Sequence, residues 1–246
     1  MNLSRFVKHS NINLFQEGNI RCLYDADLLN DFSVEMFDSS YWQQQNAVLG
    51  SSTGRGTAWF VQHPQVKMVL RHYYRGGLIG KLINDSYFYT GFMNTRAAKE
   101  FILLADMQQM GLPAPKPVAL KIERQGLTYN ADILIELIPG ANDLVALLTQ
   151  TELPEQSWQQ IGACIKAFHQ QRIYHHDLNA HNIMLDSDNK IWLIDFDQGK
   201  QMASEGPWQQ QNLQRLQRSF LKEQKKMPVF HYSEENWQSL LQGYSS

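Results

Sequence analysis

Apolar and polar positions alternate in short runs between Ala47 and Gly77, where the chain reads AVLGSSTGRGTAWFVQHPQVKMVLRHYYRGG. Val-, Trp- and Phe-rich stretches broken by a glycine turn and then by a Pro-marked turn are the pattern of strands in a meander. Three antiparallel strands are predicted, the third running from Met68 to Tyr73. The period then changes. In NTRAAKEFILLADMQQMGLPAPKPVAL, Ala97, Phe101, Leu104 and Met107 recur at helical spacing, Asn94 or Thr95 can cap the start, and Gly111 and Pro113 end it. ADILIELIPG predicts a buried strand closed by a turn at Pro139 and Gly140.

Beyond that turn the pattern is mainly helical. NDLVALLTQ and EQSWQQIGACIKAFHQQ read as helices, the second lining one face with Trp158, Ile161, Ile165 and Phe168. IMLD, a turn at Asp188-Asn189 and KIWLIDF then predict a strand hairpin. A sheet-rich part followed by a helix-rich part implies an α+β protein of two lobes, residues 1–138 and 139–246, around a cleft.

With 43% hydrophobic residues the chain has ample material for buried cores. A net charge of −2 gives no overall reason to bind nucleic acid, so any basic site must be local. Cys22 and Cys164 form no C-x-x-C pair, which points to a reducing compartment. Neither a secretory signal nor a run of eighteen apolar residues is found, so a cytoplasmic protein that touches a membrane surface at most is expected.

The densest chemistry lies in YHHDLNAHNIMLD, from Tyr174 to Asp186. Asp177 precedes Asn182 by five positions, Asp195 follows in WLIDFDQG, and the hairpin between them would return all three side chains to one end of the sheet. Phosphoryl transfer needs such a set, because Mg²⁺ takes oxygen ligands and shares its shell with substrate phosphates. Asn182 and Asp195 would hold the metal, leaving Asp177 to accept or orient the proton of an attacking hydroxyl. A capped turn is the competing reading for Asp177 and Asn182. For His169, His175, His176 and His181 it is a zinc site, but no H-E-x-x-H spacing or nearby cysteine supports one.

These residues resemble the protein-kinase-like superfamily, whose H-R-D-L-x-x-x-N and D-F-G motifs stand here as His175-His176-Asp177-Leu178 through Asn182 and as Asp195-Phe196-Asp197. His176 replaces the loop arginine and Asp197 the glycine, a substitution that could add a carboxylate near the metal. The resemblance implies a two-lobed kinase fold with ATP in the cleft, and a buried His175 bracing the catalytic loop. Upstream, GSSTGRGTAWFV matches the glycine-rich loop at Gly54, Gly56 and Val61, with Trp59 in place of the third glycine. Arg71 takes the position of the phosphate-gripping lysine, and Glu100 in the following helix is its expected partner; solvated surface charges are the alternative for both. LIELIPG resembles the strand and hinge that carry adenine, with backbone groups from Glu136 to Ile138 as donors and acceptors.

Between Asp197 and Pro207 there is too little chain for a long activation segment, and no A-P-E follows, which suits a small or lipid-linked acceptor. SSTGRGTAWFV, VLRHYYRGGLIGKL, GLPAPKPVA, YHHDLNAHNIMLD and WLIDFDQGK together are similar to the bacterial lipopolysaccharide kinase group, in particular its members that act on 3-deoxy-D-manno-octulosonic acid (Kdo). That resemblance implies ATP- and Mg²⁺-dependent phosphorylation of the 4-hydroxyl of Kdo on a lipid A precursor, at the cytoplasmic face of the inner membrane. NLQRLQRSFLKEQKK spaces Arg215, Arg218, Lys222, Lys225 and Lys226 along a helix with Leu213, Leu216 and Phe220. Either this helix rests on anionic headgroups or it packs its leucines inward and shows its charges to water. Arg75 with Gly76 and Gly77, and the aromatic SYFYTG, are further acceptor-site candidates. A soluble-acceptor kinase of the aminoglycoside phosphotransferase type and a nucleotide-binding pseudokinase remain as alternatives.

Overall fold

A computed structural model describes residues 11–53, 56–74 and 85–246, so Gly54, Arg75, Gly76 and Gly77 lie outside the described residues. The chain divides into two compact units. One runs to Ala105 and resumes from Lys116 to Leu137; the other comprises Asp106–Pro115 and Ile138–Ser246.

The first unit contains β1 (Ile12–Glu17), β2 (Ile20–Asp25), α1 (Ser39–Gln44), β3 (Val48–Thr53), β4 (Thr57–Gln62), β5 (Lys67–His72), β6 (Tyr87–Phe88), the greater part of α2 (Arg96–Gln109), β7 (Pro117–Gln125) and β8 (Thr128–Glu136). They form one antiparallel sheet in the order β1-β2-β7-β8-β5-β4-β3, with β6 on β8. The meander read from the sequence is β3-β4-β5. The β1-β2 hairpin was not foreseen: β1 sits at an edge with only partial burial, so its alternation is faint, and the Gly18-Asn19 turn carries the signal instead.

Both sheet faces are covered, which follows from the period-two direction of strand side chains. Ala131 and Ile133 point into a cluster with Phe101 of α2, Tyr73 and Leu120, while Leu134 on the opposite face joins Met68, Trp42 and Met36. Thr95 caps α2, its Oγ1 accepting from the Ala98 N–H at 3.3 Å. Residues 106–115, expected with the N-terminal part, pack with the second unit because the Leu193 N–H donates to the Pro113 carbonyl at 3.0 Å.

The second unit contains β9 (Asn142–Asp143), α3 (Leu144–Leu148), α4 (Glu155–Gln170), β10 (Ile173–Tyr174), β11 (Ile183–Leu185), β12 (Ile191–Leu193), β13 (Lys200–Gln201), α5 (Pro207–Lys226) and α6 (Glu234–Ser245). The expected hairpin is β11-β12, paired Ile183 with Leu193 through Leu185 with Ile191. Its core gathers Trp158, Ile161, Ile165 and Phe168 from α4 around Leu216 and Phe220 from α5, all at most 2% exposed. Helices α4 and α6 touch backbone to backbone. A Cβ on Gly162 would lie 2.0 Å from the Leu240 carbonyl oxygen, and one on Gly243 would lie 1.9 Å from that of Gln159. Only glycine permits that approach.

Among the described residues no helix is long and apolar enough to cross a membrane. Leu213, Leu216 and Phe220, offered by the sequence as a membrane-facing stripe, are buried within the unit.

Candidate active site

The β11-β12 hairpin does what its residue count implies. Asn182 immediately precedes β11 and Ile194 immediately follows β12, and the Ile194 N–H donates to the Asn182 carbonyl at 3.0 Å. Asp195 comes next, in the left-handed region at φ 62°. Such a backbone is strained for a non-glycine residue and concentrates at functional sites. Phe196 anchors the turn: it is fully buried, stacked on Phe168 at 5.5 Å and packed 4.7 Å from the His175 ring.

His175 ties the two loops together. Its Nε2–H donates to the Ile194 carbonyl at 2.8 Å, and its Nδ1 accepts the Asp177 N–H at 3.2 Å. Those two bonds demand one neutral tautomer, and burial lowers the imidazole pKa in keeping with it. The Asp177 carbonyl accepts two side-chain amides, from Asn179 at 3.0 Å and from Asn182 at 2.9 Å. A single-turn 3₁₀ helix, Ala180–Asn182, carries Asn182 into place.

Helix α5 holds this loop from the other side. Asn212 donates to the His175 carbonyl at 2.9 Å, Arg215 Nη1 donates to Asp177 Oδ1 at 2.9 Å, and Ser219 Oγ accepts the Ala180 N–H at 3.1 Å. These three anchors were not identified from sequence. Their spacing along one helix face was visible, but nothing in it tells which loop the face meets. His169 is buried between Tyr244 OH at 2.8 Å and Asn212 Oδ1 at 3.3 Å, and burial pushes its pKa down to about 4. His181 instead faces Asp143 and Glu223 at 3.4 and 3.8 Å. His175 and His169 are thus each held by hydrogen bonds inside the fold.

Asp177, Asn182 and Asp195 share the wall of one open cavity of ≈ 670 Å³, together with Arg215, Arg218 and Lys222. With the Asn182 amide nitrogen committed to Asp177, its Oδ1 remains, in a cavity whose wall also carries Asp195, as the kind of hard oxygen donor that Mg²⁺ takes.

In the first unit, Arg71 and Glu100 are brought together. Arg71 Nη2 lies 2.5 Å from Glu100 Oε1, and Tyr73 OH donates to Glu100 Oε2 at 2.6 Å. The Glu100 side chain is 1% exposed, so this is a buried pair rather than two solvated charges. Gly56 packs beneath the Tyr74 ring, which a Cβ would meet at 2.1 Å. The Glu136 N–H is committed to the Lys116 carbonyl and the Leu137 N–H to Lys67, both at 2.8 Å; Ile138 is buried at the start of the second unit.

An antiparallel sheet carrying a buried arginine–glutamate pair, and a hairpin flanked by Asp177, Asn182 and Asp195, are the parts of a protein-kinase-like phosphotransferase. Residues 39–244 match the family model of the lipopolysaccharide kinase (Kdo/WaaP) family. A 3-deoxy-D-manno-octulosonic acid kinase from Photobacterium profundum is 49% identical over 92% of this chain and 95% of its own length. Enzymes of the same name from Vibrio vulnificus strain YJ016 and from Mannheimia succiniciproducens are 45% and 46% identical, over 94% of this chain and 97% and 98% of theirs. The chain belongs to the lipopolysaccharide kinase (Kdo/WaaP) family.

Proposed function

We propose that this protein transfers the γ-phosphoryl group of ATP to the 4-hydroxyl of Kdo carried on a lipid A precursor, at the cytoplasmic face of the inner membrane. The observation that carries the reading is the shared wall of Asp177, Asn182 and Asp195, in a chain nearly half identical to relatives named for Kdo phosphorylation. Two carboxylates and an oriented amide oxygen suit phosphoryl transfer, where catalysis is mostly positioning and charge neutralisation.

In this reading Asp177 orients the acceptor hydroxyl and takes its proton, while Arg215 holds the Asp177 carboxylate in place. Asn182 and Asp195 hold Mg²⁺. When bound, the metal supplies neutralisation of the charge that develops on the transferred phosphoryl group. Arg71, fixed by Glu100, offsets phosphate charge; the loop of Gly54 and Gly56 takes other phosphate groups, and because the Glu136 and Leu137 N–H groups are already engaged, adenine is left the carbonyl of Glu136 and the backbone of Ile138.

A cationic aminoglycoside fits less well, because Arg215, Arg218, Lys222 and Lys226 line the cavity around Asp177. A pseudokinase would have no use for the complete set of Asp177, Asn182 and Asp195. The test is to incubate the protein with Mg-ATP and a Kdo-bearing lipid A precursor and to locate the new phosphate by mass spectrometry and NMR. Phosphate on the Kdo 4-hydroxyl supports the proposal; phosphate at another hydroxyl, or none, contradicts it.

A further inference from the structure

Three contacts lock α5 to the loop that carries Asp177, at Asn212, Arg215 and Ser219, so the residues between and beyond them stand at fixed distances from the reaction centre. Two of those residues are cations that line the same cavity, Arg218 and Lys222. The other charges of the cavity are engaged. Arg215 is paired with Asp177, and Lys226 with Glu223, which also faces His181. Asp195 also lines the cavity and is assigned to the metal in the function proposed above. Among the described residues no hydrogen bond or ion pair engages Arg218 or Lys222.

We infer that Arg218 and Lys222 bind the carboxylate of the sugar-acid acceptor while its hydroxyl faces Asp177. The inference rests on the function proposed above and names the acceptor site that it requires. Arg218 lies three residues past the partner of Asp177, about 4.5 Å along the helix axis, and Lys222 about 6 Å farther. The step to Arg218 is comparable to the separation of a hydroxyl and a carboxylate on one sugar ring, and Lys222, about two turns beyond Arg215, reaches the same group through its long side chain. Positions 215, 218 and 222 are neighbours on one helix face, and a guanidinium presents a planar fork suited to a carboxylate. The opposite face of α5 is buried through Leu213, Leu216 and Phe220, so these cations are not needed to keep the helix folded. A purely solvated stripe would have no reason to line the concave wall beside the catalytic loop.

Steady-state kinetics with Mg-ATP and a Kdo-bearing lipid A precursor test this, using wild type, Arg218→Ala, Lys222→Ala and Arg218→Lys, with circular dichroism to check the fold. Each alanine variant is expected to raise the acceptor KM about tenfold or more, the range for losing a hydrogen bond to a charged group. KM for ATP stays unchanged, and Arg218→Lys restores part of the loss. An acceptor with the Kdo carboxylate methylated should penalise wild type similarly and add little to Arg218→Ala. An acceptor stripped of its lipid phosphates should retain the full effect of both substitutions. Unchanged acceptor KM in the variants of an active enzyme overturns the inference alone. So does a rise confined to the ATP KM, which would assign the cations to nucleotide phosphates, or an effect that vanishes with the lipid phosphates rather than with the carboxylate. Wild-type inactivity on every Kdo acceptor overturns the proposed function, and this inference with it.

Discussion

The side-chain amide of Asn182 donates to the backbone carbonyl of Asp177 at 2.9 Å, so the residue read as a metal ligand also sets the backbone of the residue read as the base. Asn182→Ala removes both roles at once. The Mg²⁺ concentration for half-maximal activity is expected to rise at least about tenfold, with kcat lowered as well. A metal titration of activity checks this, and an unchanged Mg²⁺ requirement would remove Asn182 from the metal site.

Arg71→Ala takes the guanidinium away from a Glu100 carboxylate buried in the core of the first unit, where the Tyr73 hydroxyl stays bonded to it; Glu100 is only 1% exposed and Arg71 26%. Breaking a buried pair costs about 3–5 kcal/mol, and the partial exposure of Arg71 places this one near 3 kcal/mol. Arg71→Lys keeps the charge and loses less. Denaturant unfolding of the three proteins measures both differences, and a loss below about 1 kcal/mol in Arg71→Ala would mean that the pair is solvated in solution.

Burial holds the His169 imidazole down to about 4 against an ordinary 6.5, and lowers His175 for the same reason. Between those values the unfolded chain binds protons that the folded one refuses, so stability rises with pH. The contribution is fully present above about 6.5 and is lost as pH falls toward 4. The slope per histidine approaches about 1.4 kcal/mol per pH unit. His169→Gln should flatten the wild-type dependence of the urea midpoint between pH 6.5 and 4.5; parallel curves would show that His169 is protonated in the folded protein.

Much of this was legible in the chain where a local rule applies. Alternation and turn residues mark β3, β4 and β5, a capping Thr95 marks α2, and the β11-β12 hairpin follows from two short apolar runs around Asp188-Asn189. That hairpin is why Asp177, Asn182 and Asp195, the first and last of them eighteen positions apart, line a single cavity. What escaped depends on contacts distant in sequence. Arg215 meets Asp177 from 38 positions away, and Tyr73 meets Glu100 from 27. Periodicity marks a face of a helix but not its partner, so the pattern of α5 by itself does not tell that Leu213 and Leu216 are buried inside the second unit.

The most direct measurement is transfer of labelled γ-phosphate from Mg-ATP to a Kdo-bearing lipid A precursor, with the Asp177→Asn variant and an aminoglycoside acceptor alongside. Asp177 is half exposed and bound through its carboxylate to Arg215, so the variant should fold normally. Label is expected on the Kdo lipid and none on the aminoglycoside, with the rate lowered about 10²–10⁴-fold in Asp177→Asn. Wild-type turnover in the variant, or label on the aminoglycoside alone, would contradict the proposed function.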